Sequence, residues 1–148
     1  WGKVERLDDG DRMLASSMLT SLEDRRDATF VRYALLVDAN ARSKRLAPRY
    51  ELTTFYGQLR HIFVLKLPPA AELDLTEETT LILAAVTQCK ITAHNDLDMH
   101  YYREEGPLEV VDITSVQCLV GRLRTTTKKD WVIIDRSGSL ARPYFDPD

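Results

Sequence analysis

Four potential metal ligands lie at alternate positions in one short segment. The segment HNDLDMH contains His94, Asp96, Asp98 and His100. Imidazole and carboxylate groups are ligands that divalent metals such as zinc use in proteins. In an extended segment the two histidines would lie about 20 Å apart at roughly 3.3 Å per residue, so only a curled loop could bring both to one ion. The favoured interpretation is a solvated loop without a metal, and no cofactor is predicted.

Other candidate catalytic residues are a histidine and a set of aspartates. His61 falls on the mainly apolar face of a predicted strand, where it could act as a general acid or base. Five aspartates could hold two metal ions for phosphoryl transfer: Asp24, Asp27, Asp38, Asp112 and Asp135. Among 23 acidic residues, however, five aspartates are unremarkable, and neither a Gly-x-Ser-x-Gly motif nor a known Cys-His signature is present. The sequence therefore predicts no catalytic activity.

The segment WVIIDRSGSLARPYF, residues 131–145, places an acid, a base, a hydroxyl and a glycine directly after an apolar run. These residues could form an active site, but a Ser-Gly-Ser sequence is also typical of a turn. We interpret Trp131–Ile134 as a buried strand and residues 137–139 as the connection to a last short strand. Asp135 and Arg136 are then expected to pair with each other or with loop backbone.

Two basic clusters could contact nucleic acid. The first comprises Arg42, Lys44, Arg45 and Arg49, and the second comprises Arg122, Arg124, Lys128 and Lys129. If the fold brought the clusters together, they could bind a phosphate backbone, with Tyr50, Tyr56 or Trp131 as stacking surfaces. Because the net charge of the chain is -3, such a contact would have to be local. The ordinary interpretation of the two clusters is two solvated loops.

Neighbouring aromatic residues suggest a different kind of site. Tyr101 and Tyr102 lie in a predicted loop, and with Trp131 they could form an exposed pocket. Such a pocket binds methylated lysine through cation–π contact, which is the property of a chromatin or peptide reader. The rings could instead cover one end of the fold, and this is the preferred interpretation.

The composition is that of one globular domain over residues 1–148. The chain has 44% apolar and 29% charged residues, as soluble proteins do, and no apolar run approaches the roughly 20 residues that span a bilayer. Cys89 and Cys118 are too few for a disulfide scaffold, which favours a reducing compartment. The chain begins at Trp1 without a leader segment, so we expect a domain from a longer protein.

Most of the chain is predicted to form strands. The clearest one, FYGQLRHIFVLKL, has Phe55, Leu59, Phe63, Leu65 and Leu67 on one face and ends at Pro68-Pro69. TTLILAAVTQCKI is a second strand, LEVVDITSVQCLVGRLR gives one long or two short strands, and DWVIID pairs with LARPYF. Residues 13–19 could be a short strand or a short helix. DATFVRYALLVDANARSK could also be a strand or a helix, because its β-branched and aromatic residues favour a strand whereas Asp27 could cap a helix.

Six to eight successive strands without alternating helices indicate an antiparallel β fold. We predict a small, distorted β-barrel with one or two short helices and long loops at residues 38–50, 68–78 and 93–107. The general shape resembles the bromo-adjacent homology domain, a β-rich chromatin module, by analogy of strand count.

The order of the segments also resembles a known family. RDATFVRY, FYGQLRHIFVLKLP, LILAAVTQCKI, EVVDITSVQCLVGRL and WVIIDRSGSLARPYFDPD follow one another. This succession looks like the accessory region after the transposase in CACTA-type (En/Spm-like) transposon proteins of mushroom-forming fungi and, more distantly, like a domain of plant CACTA proteins. The pattern residues are Tyr56, Gly57, Val111, Asp112 and Asp135. The resemblance covers residues 26–147, so residues 1–25 are expected to be an unmatched, less ordered extension.

This resemblance implies a non-catalytic accessory or interaction domain of a transposon-encoded nuclear protein. Its partner would be transposon DNA, chromatin or another part of the transposase. The basic clusters favour DNA, whereas the negative net charge favours a protein. A bromo-adjacent-homology-like chromatin or peptide reader is the alternative.

Overall fold

The computed structural model describes residues 1–7, 10–18, 27–126 and 129–136. Of these residues, 61% lie in strands and 7% in short 3-10 helices, so the prediction of a mostly β, barrel-like fold is confirmed. The strands are β1 (Lys3–Glu5), β2 (Arg12–Leu14), β3 (Phe30–Asp38), β4 (Tyr50–Leu67), β5 (Thr79–His94), β6 (His100–Asp112), β7 (Val116–Leu119), β8 (Gly121–Arg124) and β9 (Trp131–Ile134). No helix in these ranges has the length and apolar character needed to cross a membrane.

Seven strands form one curled antiparallel sheet in the order β7-β3-β4-β5-β6-β9-β8, which makes a half-barrel. β1 and β2 form a separate hairpin. The edge strands β7 and β8 are consecutive in the chain and are separated only by Val120. The N–H of Val120 donates to the carbonyl of Phe30 at 3.0 Å. The chain thus connects the two edges of the sheet and brings β8 close to the start of β3.

Two apolar clusters lie on opposite faces of the sheet, because adjacent strand residues point to opposite sides. The first contains Val31, Tyr33, Leu59, Ile62, Ala84, Val86, Val111 and Val116, together with Met13 and Ala15 of the N-terminal segment. The second contains Phe30, Tyr56, Cys89, Tyr102, Val120 and Ile133. Phe30 in β3 and Ile133 in β9 lie near opposite ends of the strand order, so the sheet must curl for them to share a cluster. The second cluster therefore lies on the side where β3 and β9 approach each other, which we call the concave side.

Of the two ambiguous segments, one contains a long strand and the other combines the end of a strand with a 3-10 helix. DATFVRYALLVDANARSK contains β3, because its β-branched and aromatic residues favour a pleated, half-buried position. Asp27 does not cap a helix; its carboxylate accepts hydrogen bonds from the N–H and the hydroxyl of Thr29. Within residues 13–18, Met13 and Leu14 lie in β2, and a 3-10 helix spans Ser16–Met18.

A β-bulge in β4 changes which side chains face the core. The register with β5 shifts between Leu59 and His61, so Arg60 is an extra residue. Beyond the bulge Ile62 is 4% exposed, whereas Phe63 is 46% exposed. The prediction that Phe63 shares a face with Leu59 is wrong, because one inserted residue reverses every side chain that follows it. His61 is exposed rather than on the apolar face.

The predicted loop over residues 93–107 is also wrong. β5 continues to His94 and β6 begins at His100, so only residues 95–99 connect them. The Asn95 side chain accepts hydrogen bonds from the N–H groups of Leu97 and Met99 at 3.1 and 2.9 Å. This side-chain turn reverses the chain within five residues. The connections after β3 and β4 lie where predicted.

Three of the pattern residues have structural positions in the sheet. Gly57 is buried, and a Cβ at this position would lie 2.6 Å from the carbonyl oxygen of Thr87. Val111 belongs to the first apolar cluster. Asp112 accepts a 2.8 Å hydrogen bond from the N–H of Thr114 and so caps the 3-10 helix at Ile113–Ser115. These residues position the strands.

Candidate nucleic-acid interface and buried polar clusters

The first basic cluster lies on an ordered loop between β3 and β4. The last pair of the β3–β4 ladder is Asp38 with Tyr50. Asp38 Oδ1 accepts hydrogen bonds from the N–H groups of Asn40 and Arg49, each at 2.8 Å. The Asn40 side chain donates to the carbonyl of Ala47 at 2.7 Å. The loop is therefore closed at its base and braced across its middle.

This basic loop, residues 39–49, presents its cations to solvent. Arg42, Lys44, Arg45 and Arg49 are all exposed. Arg49 forms a surface ion pair with Glu51 at 2.6 Å. Within the described residues, no ion pair is formed by the other three. Tyr50, which follows the loop, is 65% exposed and could stack on a base.

The second basic cluster lies at the opposite end of β3. Arg122 and Arg124 are on β8, Lys129 is in the β8–β9 connection, and Lys128 is outside the described residues. Arg122 contacts Phe30 at the start of β3, whereas the basic loop follows Asp38 at its end. Eight residue steps separate these positions, a distance of about 26 Å at roughly 3.3 Å per residue. The fold does not bring the clusters together.

The guanidinium of Arg122 lies between two aromatic rings. Its Cζ is 3.8 Å from the ring centroid of Phe30 and 4.2 Å from that of Trp131. The same guanidinium donates to the Tyr102 hydroxyl at 3.0 Å and to Asp27 Oδ2 at 3.1 Å. The Arg122 side chain is 24% exposed. Binding a phosphate would cost these cation–π and charge-assisted contacts.

Two ionisable groups beside Arg122 are held neutral. Burial raises the pKa of the Tyr102 hydroxyl to about 12, although the hydrogen bond from Arg122 opposes the rise. Burial likewise raises the pKa of the Cys89 thiol to about 11, although a hydrogen bond with Tyr102 opposes it. Because the thiolate is the reactive form of cysteine, Cys89 is not an activated nucleophile at neutral pH.

The alternative of an exposed pocket of Tyr101, Tyr102 and Trp131 is wrong. Tyr102 is 2% exposed. Tyr101 precedes it in β6, so its side chain points to the opposite face, where its hydroxyl accepts a 3.3 Å hydrogen bond from Asn95. The pocket is not formed because both tyrosines lie in a strand rather than in a loop. The rings that enclose a cation are Phe30 and Trp131, and the cation is the chain's own Arg122.

Besides the contacts of Arg122, a second group of polar contacts on the concave side is centred on Asp135. Its Oδ2 lies 3.2 Å from Arg32 Nη1 and accepts a 3.0 Å hydrogen bond from the Tyr56 hydroxyl. Arg32 Nε also donates to Gln117 Oε1 at 2.6 Å. The pKa of Tyr56 is raised, first by burial and then by the negative charge of Asp135. Asp135 thus connects β9 to β3 and β4, which are not its neighbours in the sheet.

The candidate metal segment forms a hairpin. His94 and His100 are paired across β5 and β6, and their ring centroids are 6.1 Å apart, so the segment has the curled form that brings the two histidines together. Asp98 Oδ1 is 3.8 Å from His100 Nε2, and Asp96 is exposed. The His100 ring lies 5.0 Å from that of Tyr56. In the described ranges, no three His, Cys, Asp or Glu residues are placed to hold a metal ion.

The four described aspartates of the predicted set and His61 do not converge. Asp24 is outside the described residues, Asp27 binds Arg122, Asp38 closes the basic loop, Asp112 caps a 3-10 helix, and Asp135 binds Arg32. His61 is exposed, and its ring lies 5.8 Å from that of Phe63. Each of these four aspartates therefore has its own local or cross-sheet partner.

The sequence analysis did not identify Phe30 as a contact of Arg122 or Arg32 as the partner of Asp135. The available signal was the charge of Arg32 within the apolar run TFVRYALLV. A charged residue in such a run needs a partner when it is buried. Its partner Asp135 is 103 residues away, so only the curl of the sheet identifies it.

Comparison with known proteins provides no relative. No protein-family model matches the chain, and no curated protein or solved structure matches it. Function is therefore argued from the residues above and from the order of the sequence segments.

Proposed function

We propose that this chain is a non-catalytic interaction domain of a transposon-encoded nuclear protein and that it contacts DNA through the basic loop. The observation that carries the DNA contact is the exposure of Arg42, Lys44, Arg45 and Arg49 on one ordered loop. The assignment to a transposon protein rests on the order of the segments over residues 26–147.

The chemistry of the loop suits a phosphate backbone rather than base edges. Arginine and lysine side chains position a protein on DNA by contacting phosphates, and such contacts carry no sequence information directly. Tyr50 adds a stacking surface beside the loop, which suits an unpaired base. Arg122 is engaged elsewhere and the net charge is -3, so the DNA contact is restricted to the loop.

A fluorescence anisotropy titration with labelled duplex and single-stranded DNA across a salt series tests this function. The Arg42→Ala/Arg45→Ala variant should bind more weakly, because two phosphate contacts are lost. Its slope of log K against log salt on duplex DNA should be shallower by about 1.8, from roughly 0.9 per phosphate.

The matched control is Lys3→Ala/Lys66→Ala, which removes one exposed charge on β1 and one on β4. This variant should keep the binding constant and the salt slope of the unmodified chain. Equal weakening in both variants, or binding that does not depend on salt, would contradict a contact at the basic loop.

A further inference from the structure

One side of β3 is only partly covered. β4 pairs with all of Phe30–Asp38, but β7 pairs only with residues 31–33. Among the residues that the structure describes, the edge at residues 34–38 has no strand beside it. An edge strand with unpaired N–H and C=O groups is a template for another strand, and proteins normally shield it.

The backbone groups on this side can be identified from the hydrogen bonds at the start of β3. The carbonyl of Phe30 accepts from Val120 on the β7 side, whereas the carbonyl of Thr29 accepts from Leu59 in β4. Because these directions alternate along an antiparallel strand, the N–H and C=O groups of Leu36 point to the open side. The N–H of Ala34 points to the same side, but the pairing of Tyr33 with Val116 already places it opposite the carbonyl of Ser115. Leu36 can therefore pair with an added strand without loss of β3–β4 bonds.

A groove of about 380 Å³ lies along the open edge. Leu35, Leu36 and Leu52 form one wall, and Thr114, Ser115 and Gln117 form the other. Leu36 is 67% exposed and Leu52 is 69% exposed. The groove thus combines unpaired backbone with exposed leucines and carries no charged side chain in its walls. This combination suits alternating small apolar side chains of an extended peptide.

β3 ends at Asp38, two residues beyond Leu36, and the basic loop follows it. Since Arg42, Lys44 and Arg45 are exposed on that loop, an acidic segment is electrostatically favoured beside this end of β3. An antiparallel strand in line with β7 would place its N-terminal end beside the loop. A second copy of β3 would instead bring Arg32 and Tyr33 to this position, which offers no negative charge.

We propose that the open edge of β3 binds an extended peptide by β-strand addition. The peptide has acidic residues at its N-terminal end, beside the basic loop, followed by about five residues with alternating apolar side chains. It adds a strand of roughly 17 Å at about 3.4 Å per residue. This surface is separate from the DNA contact, although the loop contributes charge to both.

Selection of a phage-displayed library of random dodecapeptides on the intact chain supplies the probe. Enriched peptides should carry Asp or Glu before an alternating apolar run. On binding of the synthetic peptide, hydrogen exchange should slow at the amide of Leu36. Enrichment without the acidic and alternating pattern, or protection at other strands, overturns the proposal.

Two variants separate backbone pairing from side-chain packing. Leu36→Pro removes an N–H on the open side and should weaken peptide binding by about tenfold or more. Leu36→Thr keeps that N–H and should stay within about threefold of the unmodified chain. Equal urea midpoints would show that both variants fold. Peptide binding by Leu36→Pro at the affinity of the unmodified chain overturns the proposal.

Failure of this inference can be distinguished from failure of the proposed function. Leu36→Pro should leave DNA binding unchanged, because its substitution lies outside the basic loop. A dimer seen by analytical ultracentrifugation and lost in Leu36→Pro would assign the edge to a second copy, and would overturn the peptide proposal.

Discussion

At the scale of single residues, Arg122 combines ring contacts and hydrogen bonds on the concave side. The guanidinium lies between Phe30 and Trp131 and also donates to Asp27 and Tyr102. Arginine suits this position because its planar group can stack on rings while its N–H groups bind in the same plane. The residue therefore stabilises the meeting of β3, β6, β8 and β9.

Arg122→Ala should lower the free energy of unfolding by about 2–3 kcal/mol, because a cation–π contact and charge-assisted hydrogen bonds are lost together. The measurement is the urea midpoint. Arg124→Ala is the control on the same strand, since Arg124 is exposed and lies 5.8 Å from the Trp131 ring. That control should shift stability by less than about 0.5 kcal/mol. Similar losses in the two variants would contradict the assigned role of Arg122.

At the scale of elements, the bulge at Arg60 determines the faces of the longest strand. Up to Leu59 the side chains alternate between the two apolar clusters: Phe55 and Leu59 pack in the first and Tyr56 in the second. After the bulge the alternation continues in the opposite phase, so Ile62 enters the core and Phe63 faces outward. The apolar pattern does not reveal this change, because His61, Ile62, Phe63 and the residues after them give two faces of similar hydrophobicity.

Ile62→Ala should therefore destabilise the chain by about 2–5 kcal/mol, the usual cost of a cavity in a core. Phe63→Ala should cost less than about 1 kcal/mol, since the ring is already 46% exposed. Chemical denaturation of both variants measures the difference. The opposite order of stabilities would show that Arg60 is not an inserted residue.

At the scale of the whole molecule, the curl of the sheet encloses ionisable groups that come from separate strands. Cys89 of β5 and Tyr102 of β6 lie in the concave cluster with Phe30 of β3 and Ile133 of β9. Their ordinary pKa values of 9.0 and 10.0 are raised to about 11 and about 12, mainly by burial. A cluster closed by the sheet therefore couples folding to the protonation of both groups.

Stability should accordingly fall as the pH rises above 9. Between pH 9 and 11 the Cys89 thiol ionises in the unfolded chain but stays protonated in the folded one. Because the unfolded state then binds fewer protons than the folded state, a rise in pH stabilises the unfolded state relative to the folded state. The free energy of unfolding should drop by on the order of 2 kcal/mol from this group. Urea unfolding at pH 8, 10 and 11 measures the drop, and Cys89→Ala should lose less stability over this range than the unmodified chain. An identical drop in Cys89→Ala would exclude the thiol as a cause.

The fold class was largely predictable from local patterns. Alternation, β-branched residues and the Pro68-Pro69 pair identify β4, and the same reasoning locates β5 and β9. The candidate site was predictable only in part. The loop with Arg42 and Arg45 follows from its position between two strands, whereas the separation of that loop from Arg122 does not.

By itself the sequence determined that this protein consists mostly of strands, located β4, β5 and β9, and placed a basic loop before β4. Tertiary structure alone decided which distant groups meet, such as Arg32 with Asp135 and Arg122 with Phe30. The physical reason is that strand formation depends on neighbours along the chain. The partners of a buried charge, by contrast, depend on the curl and register of the sheet, which one extra residue at Arg60 can reverse.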